Sequence, residues 1–383
     1  MSGIDRYAGD AACVLAINPG TTSTKFGIYT RSAEVFAKTI RHGDDELLRF
    51  KGRPMIDRLE YRAGLMEAAL AEAGFHPHDC GLQGVAGRGG FLGPMECGTY
   101  LVDEVMLAEL RHARGGDHAS NLGAPLALRF ARAAGVCAYV VDPVTVDEWQ
   151  LCARLTGSPL VERTSIGHWL NTKAVAKRYA REQRRAYKEL RLIVAHMGSG
   201  ITVSAHCGGR VLDSNSIEEG PFGPDRTGSL PARALARLCG SGKMSAAELD
   251  RHLFGDGGLF AYLGTRELTE VERRMDAGDA RATAVYQAMI YQIAKEAGAM
   301  TAVLHGQVDA VLLTGGMAYS ARLLSLLRPQ IEWIAPLTVY PGEDELRALA
   351  DGVFRVLDGE EAARRYAPRA EARPQHPAAT KRE

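Results

Sequence analysis

The sequence predicts an α/β protein of two duplicated domains, because three glycine turns of one kind each follow an apolar strand. The first lies in VLAINPGTTSTKFGIY, residues 14–29, and the second in LIVAHMGSGITVSAH, residues 192–206. In both, a β-branched run stops at a polar residue, turns through Gly and small hydroxyls, and continues as a second strand. The third, AVLLTGGMAYSARLL at 310–324, passes into a helical pattern. Since 383 residues exceed what one core usually serves, the repeated turns indicate a duplicated scaffold that closes on one nucleotide.

The two hairpin turns suit the phosphates of a nucleoside triphosphate. Gly20, Gly198 and Gly200 lack Cβ, so backbone N–H groups can approach phosphate oxygens closely. Small hydroxyls add donors without bulk at Thr21, Thr22, Ser23, Thr24 and Ser199. Lys25 supplies a positive charge, and Asn18 a neutral oxygen that hydrated Mg²⁺ can use. Two ordinary tight hairpins would show the same Gly/Thr/Ser content, and each turn taken alone fits that alternative equally well.

Periodicity and turn residues define the elements of the first domain, predicted as residues 1–143. In order, they are strands and turns over 13–50, a helix over 55–74, a short strand over 82–86, and helices over 103–114 and 122–134. The strand VCAYVVDP follows and places Asp142 at its carboxyl end, where open α/β sheets bind their ligands. The chain changes character there, which sets the boundary near residue 143.

A second, nucleotide-binding domain is predicted over residues 144–344. Its helical patterns occupy a stretch near 147–154, then 229–239, 245–254 and the long stretch 267–305. A C-terminal helix over 345–366 is expected to join the first domain. Residues 367–383 are rich in Pro, Ala, Arg and Glu without apolar periodicity, which predicts a disordered tail.

Composition narrows the class of protein. Lys+Arg and Asp+Glu are equal at 46 each, so we expect no binding of nucleic acid or of an anionic membrane surface. The 7 cysteines are dispersed, without a C-x-x-C pair or zinc spacing, which fits reduced thiols. The N-terminus MSGIDRYAGD lacks the apolar core of a signal peptide, and no apolar run reaches membrane-spanning length. We therefore expect a cytoplasmic protein.

Several nucleotide and hydrolase motifs are missing from the sequence. It contains no G-x-x-x-x-G-K-[ST], no intact G-x-G-x-x-G, no H-E-x-x-H and no G-x-S-x-G. P-loop, Rossmann, zincin and α/β-hydrolase interpretations therefore lose support.

Two arginines in glycine-rich loops are candidates for anion binding. Arg88 lies in VAGRGGF directly after a strand, and Arg226 in EEGPFGPDRTGSLP. A guanidinium fork suits a carboxylate or a phosphate, and two such loops suggest a clamp for two mutually repelling anions. For a lone arginine, a solvated surface position is the commoner alternative.

Polar residues at the ends of apolar segments add further candidates. Asp142 ends an apolar strand, where a carboxylate is costly without a partner, a metal or a substrate. His118 and Asn121 in GGDHASNLGA, and His168 in SIGHWLN, lie where chain loops enter helices, a setting that favours anions. His196 heads the second hairpin turn. For each histidine, a structural role is the alternative.

Together these motifs resemble the acetate and butyrate kinase family of carboxylate kinases, within the actin, sugar kinase and Hsp70-like ATPase superfamily, and they are most similar to its butyrate kinases. The matching segments occur in the family's order over roughly residues 13–360: INPGTTSTK, GRGG, HASNLGA, VDPVTVDE, EEGPFGPDRTGSLPA, GGLFAYLGT, LLTGGMAYS and VYPGEDEL. The resemblance implies two actin-like (ribonuclease H-like) ATPase domains with the active site in the cleft between them. It also implies reversible phosphoryl transfer from ATP to a carboxylate, and a homodimer or larger assembly of dimers.

The resemblance also implies roles for individual residues. Arg88 is similar to the arginine that holds the substrate carboxylate, and Asp142 to the catalytic aspartate. His168 resembles the histidine that contacts the transferring phosphoryl group, and Arg226 the second arginine of the transition-state clamp. His118, with Asn121, lines the same cleft. The nucleotide is expected at Ser23, Thr24, Lys25, His196, Gly198, Ser199, Gly200, Gly315 and Gly316, and Mg²⁺ near Asn18 and either Glu343 or Glu345.

Three positions depart from the family pattern. Ser199 replaces a third Gly, which is tolerated if its backbone conformation is not strictly glycine-like. Gly167 replaces a bulky aromatic residue, and Gly90 is expected to leave room beside Arg88. A wider acyl pocket would follow unless Trp169 refills it, so acids of four or more carbons, including branched ones, are expected to be preferred over acetate.

Two rival functions stay open at this point. A sugar or amino-sugar kinase of the same superfamily needs a general-base aspartate but not two anion-clamping arginines. An ATP-binding module without catalysis, of the Hsp70 or actin type, would leave Asp142, His168 and Arg226 idle, and the sequence shows no appended peptide-binding domain.

Overall fold

A computed structural model describes residues 12–76, 81–113 and 115–368. Within them the chain forms two compact units, each built on one mixed sheet. The first unit ends at Thr145 and resumes at Leu349, and the second is Val146–Ala348. The predicted α/β class with two duplicated domains is confirmed.

Twelve strands are present in the described residues. In chain order they are β1 (Cys13–Pro19), β2 (Ser23–Tyr29), β3 (Glu34–Arg41), β4 (Leu82–Arg88), β5 (Thr99–Leu101), β6 (Cys137–Val141), β7 (Leu192–Met197), β8 (Ile201–Cys207), β9 (Arg210–Ser214), β10 (Ala310–Gly315), β11 (Leu337–Pro341) and β12 (Arg364–Arg365).

The α-helices of the described residues are α1 (Asp44–Leu48), α2 (Leu59–Glu72), α3 (Glu104–His112), α4 (Gly123–Ala134), α5 (Leu151–Arg154), α6 (Trp169–Glu182), α7 (Ala232–Gly240), α8 (Ala246–Leu253), α9 (Gly258–Leu263), α10 (Leu268–Asp276), α11 (Ala280–Val303), α12 (Ala321–Ile331) and α13 (Glu345–Leu357). Short 3₁₀ helices occupy Met55–Arg58, Ala119–Leu122, Tyr187–Glu189 and Gly316–Tyr319. None of these helices is both long and apolar enough to cross a membrane.

The two sheets repeat one arrangement of five strands. In the first unit the order is β12-β5-β6-β4-β1-β2-β3, and in the second it is β11-β10-β7-β8-β9. In each, a three-stranded antiparallel meander is extended by two strands parallel to the first strand of the meander. The first unit adds β5 and β12 at one edge. This internal repeat explains why the same hairpin motif appears twice in the sequence.

Helices cover both faces of each sheet. In the first unit, Ile17, Phe26 and Val85 of the sheet pack with residues of α2 and α4, whereas α13 lies against the opposite face, where a Cβ on Gly84 would lie 2.8 Å from Val353. In the second unit, the long helix α11 and α12 cover one face, and α6 covers the other. Because both faces are buried, the ends of the strands are left as the places for function.

The structure corrects four of the predicted elements. Residues 13–50 include the short helix α1, and the helix near 147–154 is only the four-residue α5. The stretch 267–305 is two helices, α10 and α11, separated at Gly278, whose φ is 83°.

The predicted C-terminal helix over 345–366 ends at Leu357, because Gly359 adopts φ 75° and the amides of residues 358–360 bond back to the last turn of α13. The short strand β12 then follows. Most of the predicted tail, 369–383, lies outside the described residues.

Candidate active site

Three candidate residues of the first unit meet at the carboxyl edge of its sheet. Asn18 lies near the end of β1, Arg88 is the last residue of β4, and Asp142 directly follows β6. These strands are parallel neighbours, with Ile17 paired to Gly87 and Arg88 to Val141. The register therefore places Asn18, Arg88 and Asp142 side by side, as expected for a ligand-binding edge of an α/β sheet.

The backbone of Asp142 is held in an unusual conformation. Its φ is 38°, in the left-handed region that non-glycine residues seldom adopt. Its amide donates to Gly98 O at 3.1 Å, and its carboxylate Oδ1 accepts from Gly98 N at 2.7 Å. Asp142 is 3% exposed, and although burial lowers the pKa of Arg355 on α13, the negative charges of Asp142 and Glu361 outweigh that and raise it. A strained, buried carboxylate at a strand end fits a functional position better than a helix cap.

Lys25 lies directly opposite Asn18 in the β1–β2 pairing, so both side chains project from the same face of the hairpin. Lys25 is exposed, as a phosphate-binding cation requires. Thr24, by contrast, is fully buried, and its Oγ1 contacts Arg62 Nη1 and His42 Nε2. The prediction that Thr24 binds nucleotide through its side chain is therefore wrong. Alternation along a strand sends Thr24 inward and Lys25 outward.

The loop that follows Arg88 is held by the side chain of Asn121, which bonds two backbone groups. Asn121 Oδ1 accepts from Phe91 N at 3.0 Å, and its Nδ2 donates to Gly116 O at 2.8 Å. A Cβ on Gly90 would lie 2.3 Å from Asn121 Oδ1, so the room expected beside Arg88 at this glycine is filled. The contacts of Asn121 are those of a loop-holding residue, which corrects its predicted role as a substrate contact.

His118 is the N-cap of the 3₁₀ helix Ala119–Leu122. Its Nδ1 accepts from Ser120 N at 3.2 Å, and its ring meets Phe91 edge-on with centroids 5.6 Å apart. The residue is exposed on the surface of the first unit. Helix capping thus gives Nδ1 of His118 a structural role, which is the alternative to substrate binding.

In the second unit, the turn between β7 and β8 is surrounded by ionisable groups. A Cβ on Gly200 would lie 2.6 Å from Arg226 Nη1, and one on Gly198 would lie 2.9 Å from Glu343 Oε1 and 3.0 Å from His196 Nε2. A larger residue at either glycine would therefore have to push aside the polar end of a side chain that lies directly against the backbone. Glu343, rather than Glu345, is the carboxylate beside the turn, since Glu345 opens α13.

Arg226 brings positive charge to this turn from a buried loop. Burial lowers the pKa of its guanidinium, although the nearby Asp225 opposes that shift. Nη1 is a buried atom without a hydrogen-bond partner in the part of the chain that is described. Leaving a charged donor unsatisfied is costly, so this nitrogen is suited to an anionic ligand.

His168 and His196 form a stacked pair next to the same turn. Their ring centroids are 4.1 Å apart, with planes inclined by 13°. His168 Nδ1 bonds Thr202 Oγ1 at 2.8 Å, and His196 Nδ1 bonds Asn171 Oδ1 at 2.9 Å. His196 Nε2 is buried, 3.1 Å from Glu343 Oε1 but without hydrogen-bond geometry to it.

The third glycine turn closes the edge of the second sheet. Gly315 adopts φ 91°, and a Cβ there would lie 2.4 Å from Met197 O. Gly316 has open space where a Cβ would project. Gly315 therefore serves the packing of strand ends, whereas the space beside Gly316 is open.

The structure decides two of the predicted departures from the family pattern. Ser199 is absent from the described residues with positive φ, so the serine is tolerated there as expected. A Cβ on Gly167, however, would lie 2.7 Å from the ring of Trp169, which is 1% exposed. Trp169 refills the space at Gly167, so this glycine does not widen a pocket.

A divalent metal has few protein ligands available. Among residues 12–76, 81–113 and 115–368, no three His, Cys, Asp or Glu side chains come together to hold a metal ion. Mg²⁺, however, is usually held by one or two carboxylates together with substrate phosphates. Glu343, with a side chain 36% exposed beside the 198–200 turn, fits that arrangement.

The sequence did not single out the residues that orient these groups. Asn171 and Thr202 fix the two histidines, Gly98 fixes Asp142, and Arg62 fixes the first turn. One signal was available: Arg62 interrupts the apolar face of α2 that Ala63 and Met66 continue. A buried charge on an apolar helix face needs partners, and here they belong to the turn.

Comparison with known proteins gives one family match. Residues 163–330 match the model of the acetokinase family, a segment that includes His168, His196, the 198–200 turn, Arg226 and Gly315–Gly316. The family's sequence pattern therefore covers the part of the second unit in which those groups lie.

Solved structures match nearly the whole chain. An acetate kinase from Porphyromonas gingivalis has a TM-score of 0.75 at 18% identity, covering 91% of this chain and 100% of that one. A propionate kinase from Francisella tularensis subsp. tularensis has a TM-score of 0.70 at 15% identity, with 89% and 98% covered. An acetate kinase from Entamoeba histolytica has a TM-score of 0.69 at 15% identity, again with 89% and 98% covered. These likenesses show that the chain has the two-domain actin-like ATPase fold, and the family match supports its predicted place among the acetate kinase family of carboxylate kinases.

Proposed function

We propose that this chain is a short-chain fatty acid kinase, which transfers the γ-phosphoryl group of ATP reversibly to a carboxylate and yields an acyl phosphate and ADP. The observation that carries the proposal is the 198–200 turn, where Arg226 and His196 present buried nitrogens that have no hydrogen-bond partner among the described residues, within a segment that matches the acetokinase family. A guanidinium packed on a glycine turn is suited to phosphate oxygens.

The first unit supplies the carboxylate side in this proposal. Arg88, at the end of β4, is to hold the carboxylate, and Asp142, at the end of β6, is to act next to it. The second unit supplies the phosphate side, with Arg226 and His168 as donors to the transferring group and Gly316 facing the adenosine.

Electrostatics explains why this reaction needs arginines. A carboxylate that attacks a γ-phosphate brings two anions together, and two unit charges about 4 Å apart repel by roughly 4 kcal/mol at an effective dielectric of 20. The planar transition state then needs donors around its equatorial oxygens. Arg88 and Arg226 offset the repulsion, and direct in-line transfer needs alignment only, without a covalent enzyme intermediate.

Magnesium is part of the proposal because nucleotide phosphates carry it into such sites. Asn18 and Glu343 are the two candidate residues for the ion, which would neutralise phosphate charge.

The preferred acid is proposed to have four or more carbons, with branched acids such as isovalerate included. Asn121 occupies the space beside Gly90, and Trp169 occupies the space beside Gly167, so neither glycine widens the acyl pocket. The preference for butyrate over acetate therefore depends on the order of butyrate kinase motifs along the sequence alone.

A substrate panel tests the function. Purified protein with ATP and Mg²⁺ is offered unbranched acids of two to six carbons and isovalerate, and hydroxylamine traps the acyl phosphate as a coloured hydroxamate. We expect turnover with the four-carbon acids at the highest kcat/KM, and its loss in Asp142→Asn. Phosphorylation of sugars or amino sugars instead, or ATP binding without turnover on any acid, would support the rival functions.

The oligomeric state is proposed to be a homodimer. Light scattering coupled to gel filtration measures it directly, and a monomer at enzymatic concentrations would contradict this part of the proposal.

A further inference from the structure

Arg62 is a fully buried arginine whose two terminal nitrogens, Nη1 and Nη2, both donate to one loop. It lies on the inner face of α2, at 0% exposure, with Met66 one turn further along the same face. Nη1 donates to Gly20 O at 2.8 Å, to Ser23 O at 3.2 Å and to Thr24 Oγ1 at 3.1 Å, and Nη2 donates to Thr21 O at 3.1 Å. One side chain thus holds the whole turn between β1 and β2.

We propose that Arg62 is a positioning residue that shapes the 20–24 turn into a phosphate-binding loop and places a positive charge beneath it. The proposal rests on the proposed function, since the phosphate is that of the nucleotide.

The geometry of the peptide bond gives the first reason. All peptide bonds of the described chain are trans, and in a trans peptide the C=O and the following N–H point in opposite directions. Because the carbonyls of Gly20, Thr21 and Ser23 point at the guanidinium, the next amides, those of Thr21, Thr22 and Thr24, point away from it. Thr21 and Thr22 are exposed. Their amides and hydroxyls therefore form the outer, anion-accepting face of the turn.

The charge of Arg62 gives the second reason. Among the described residues no carboxylate forms an ion pair with Arg62, and its Nε is buried without a hydrogen-bond partner. Burial, and then the nearby Arg58, lowers the pKa of Arg62 to about 10, which still leaves it protonated at neutral pH. A buried charge without a counter-ion is costly, and a phosphate on the far side of the turn would compensate it.

His42 supports the same loop from a third direction. Its Nε2 lies 2.9 Å from Thr24 Oγ1, and its ring packs against Tyr61, with centroids 5.5 Å apart. Burial, and then the charge of Arg62, lowers the pKa of His42 to about 4. His42 is therefore neutral at neutral pH, and it braces Thr24 without adding a second charge.

The test compares three variants in steady-state kinetics. Arg62→Met removes every donor at similar volume, Arg62→Lys keeps the charge but has one nitrogen, and Met66→Ala is the matched control. Met66 is also fully buried on α2, so its truncation costs stability without touching the turn. All assays are run well below the unfolding temperature of the weakest variant.

Arg62→Met is expected to lower kcat/KM for MgATP about 10²-fold, as small misplacements of phosphate-aligning groups do. The KM for the carboxylate should stay within about twofold, because that substrate is not held by this turn. Arg62→Lys should fall between Arg62→Met and the wild type. Met66→Ala should keep the wild-type kcat/KM while it unfolds at lower temperature.

Each contrary result overturns a stated part of the proposal. If Arg62→Met and Met66→Ala have the same kcat/KM for MgATP, Arg62 is only a structural residue. If the kcat/KM of Arg62→Lys is no higher than that of Arg62→Met, the charge of Arg62 does not contribute. If Arg62→Met does not fold, Arg62→Lys decides alone, since wild-type kcat/KM in that variant would mean that the turn needs no guanidinium.

A failure of the proposed function is separable from a failure of this inference. If the wild-type protein makes no acyl hydroxamate, calorimetric titration of the same variants with MgADP still measures how tightly the turn binds the nucleotide phosphates. The dissociation constant should rise at least about tenfold in Arg62→Met and stay unchanged in Met66→Ala. Equal affinities in the wild type and Arg62→Met would overturn the inference.

Discussion

The β1–β2 and β7–β8 hairpins have the same backbone arrangement, but the positively charged side chain beside each turn lies in a different place. Between β1 and β2, the positive group is Arg62, which lies under the turn and bonds its carbonyls. Between β7 and β8, Arg226 lies against Gly200, on the side where a Cβ would project. The hairpin is thus the same in both units, but the arginine beside its turn comes from α2 in the first unit and from the loop after β9 in the second.

The two turns consequently need glycine for different reasons. A Cβ on Gly20 would lie 3.4 Å from Ser23 O, which is ordinary contact, whereas one on Gly200 would lie 2.6 Å from the guanidinium of Arg226. The first glycine eases a tight turn, and the second makes space for a charged group. The comparison predicts that the second turn is far more sensitive to added volume.

The largest expected effect follows removal of the charge at the second turn. Arg226→Ala should lower kcat about 10³- to 10⁵-fold, the range for an arginine that stabilises phosphoryl transfer. Nη1 has no hydrogen-bond partner among the described residues to lose, so any loss of stability should come from packing and from the attraction to Asp225. Kinetics with ATP and butyrate measure the effect, and Arg226→Lys should recover part of the rate. A loss below about tenfold in Arg226→Ala would remove Arg226 from the transition-state clamp.

Alanine at the two turn glycines tests the comparison directly. Gly200→Ala forces the Arg226 guanidinium aside and should lower kcat by about 10²-fold. Gly20→Ala makes only ordinary contacts, so its kcat should stay within about threefold of the wild type. Both variants are assayed at saturating ATP and acid, and equal losses would mean that the two turns are used alike.

The sequence predicted the hairpins and their strand-end residues, but not the side chains that orient them. Asp142, Arg88 and Asn18 follow from parallel strands whose carboxyl ends meet, a local and periodic signal. Arg62 is 39 residues from Ser23, a contact that only the packing of α2 creates. The wrong role for Thr24 has a related cause: glycine and hydroxyl content identified the turn, while burial depends on the phase of strand alternation.

The pocket residues were harder to predict because a glycine does not reveal what fills its space. Gly90 and Gly167 lack side chains, which suggested empty space beside them. Asn121 fills the space beside Gly90, and Trp169, two residues along the chain, fills the space beside Gly167. Volume is conserved in close-packed proteins, so deletion at one position is commonly matched by a neighbour.

A smaller effect is expected from pH at the first turn. The pKa of His42 is about 4 in the folded protein, compared with about 6.5 for an exposed imidazole, so between these values the unfolded chain binds more protons. Stability is therefore lost as pH falls from about 6.5 to 4, by roughly 1–2 kcal/mol from this group between pH 7 and 5. Urea unfolding at both pH values should show a shallower dependence in His42→Gln than in the wild type. An equal slope would mean that His42 is protonated in the fold.

The smallest effect is expected at Ser199, the tip of the second turn. Its backbone lies outside the left-handed region and its side chain is exposed, so glycine at this position relieves no strain. Ser199→Gly should instead lose roughly 0.5 kcal/mol through the added freedom of the unfolded chain, with kcat within about twofold. Thermal unfolding and kinetics of the single variant measure both. A more stable Ser199→Gly protein would show that the serine is strained after all, and that this turn, like Gly200 beside it, is built for glycine.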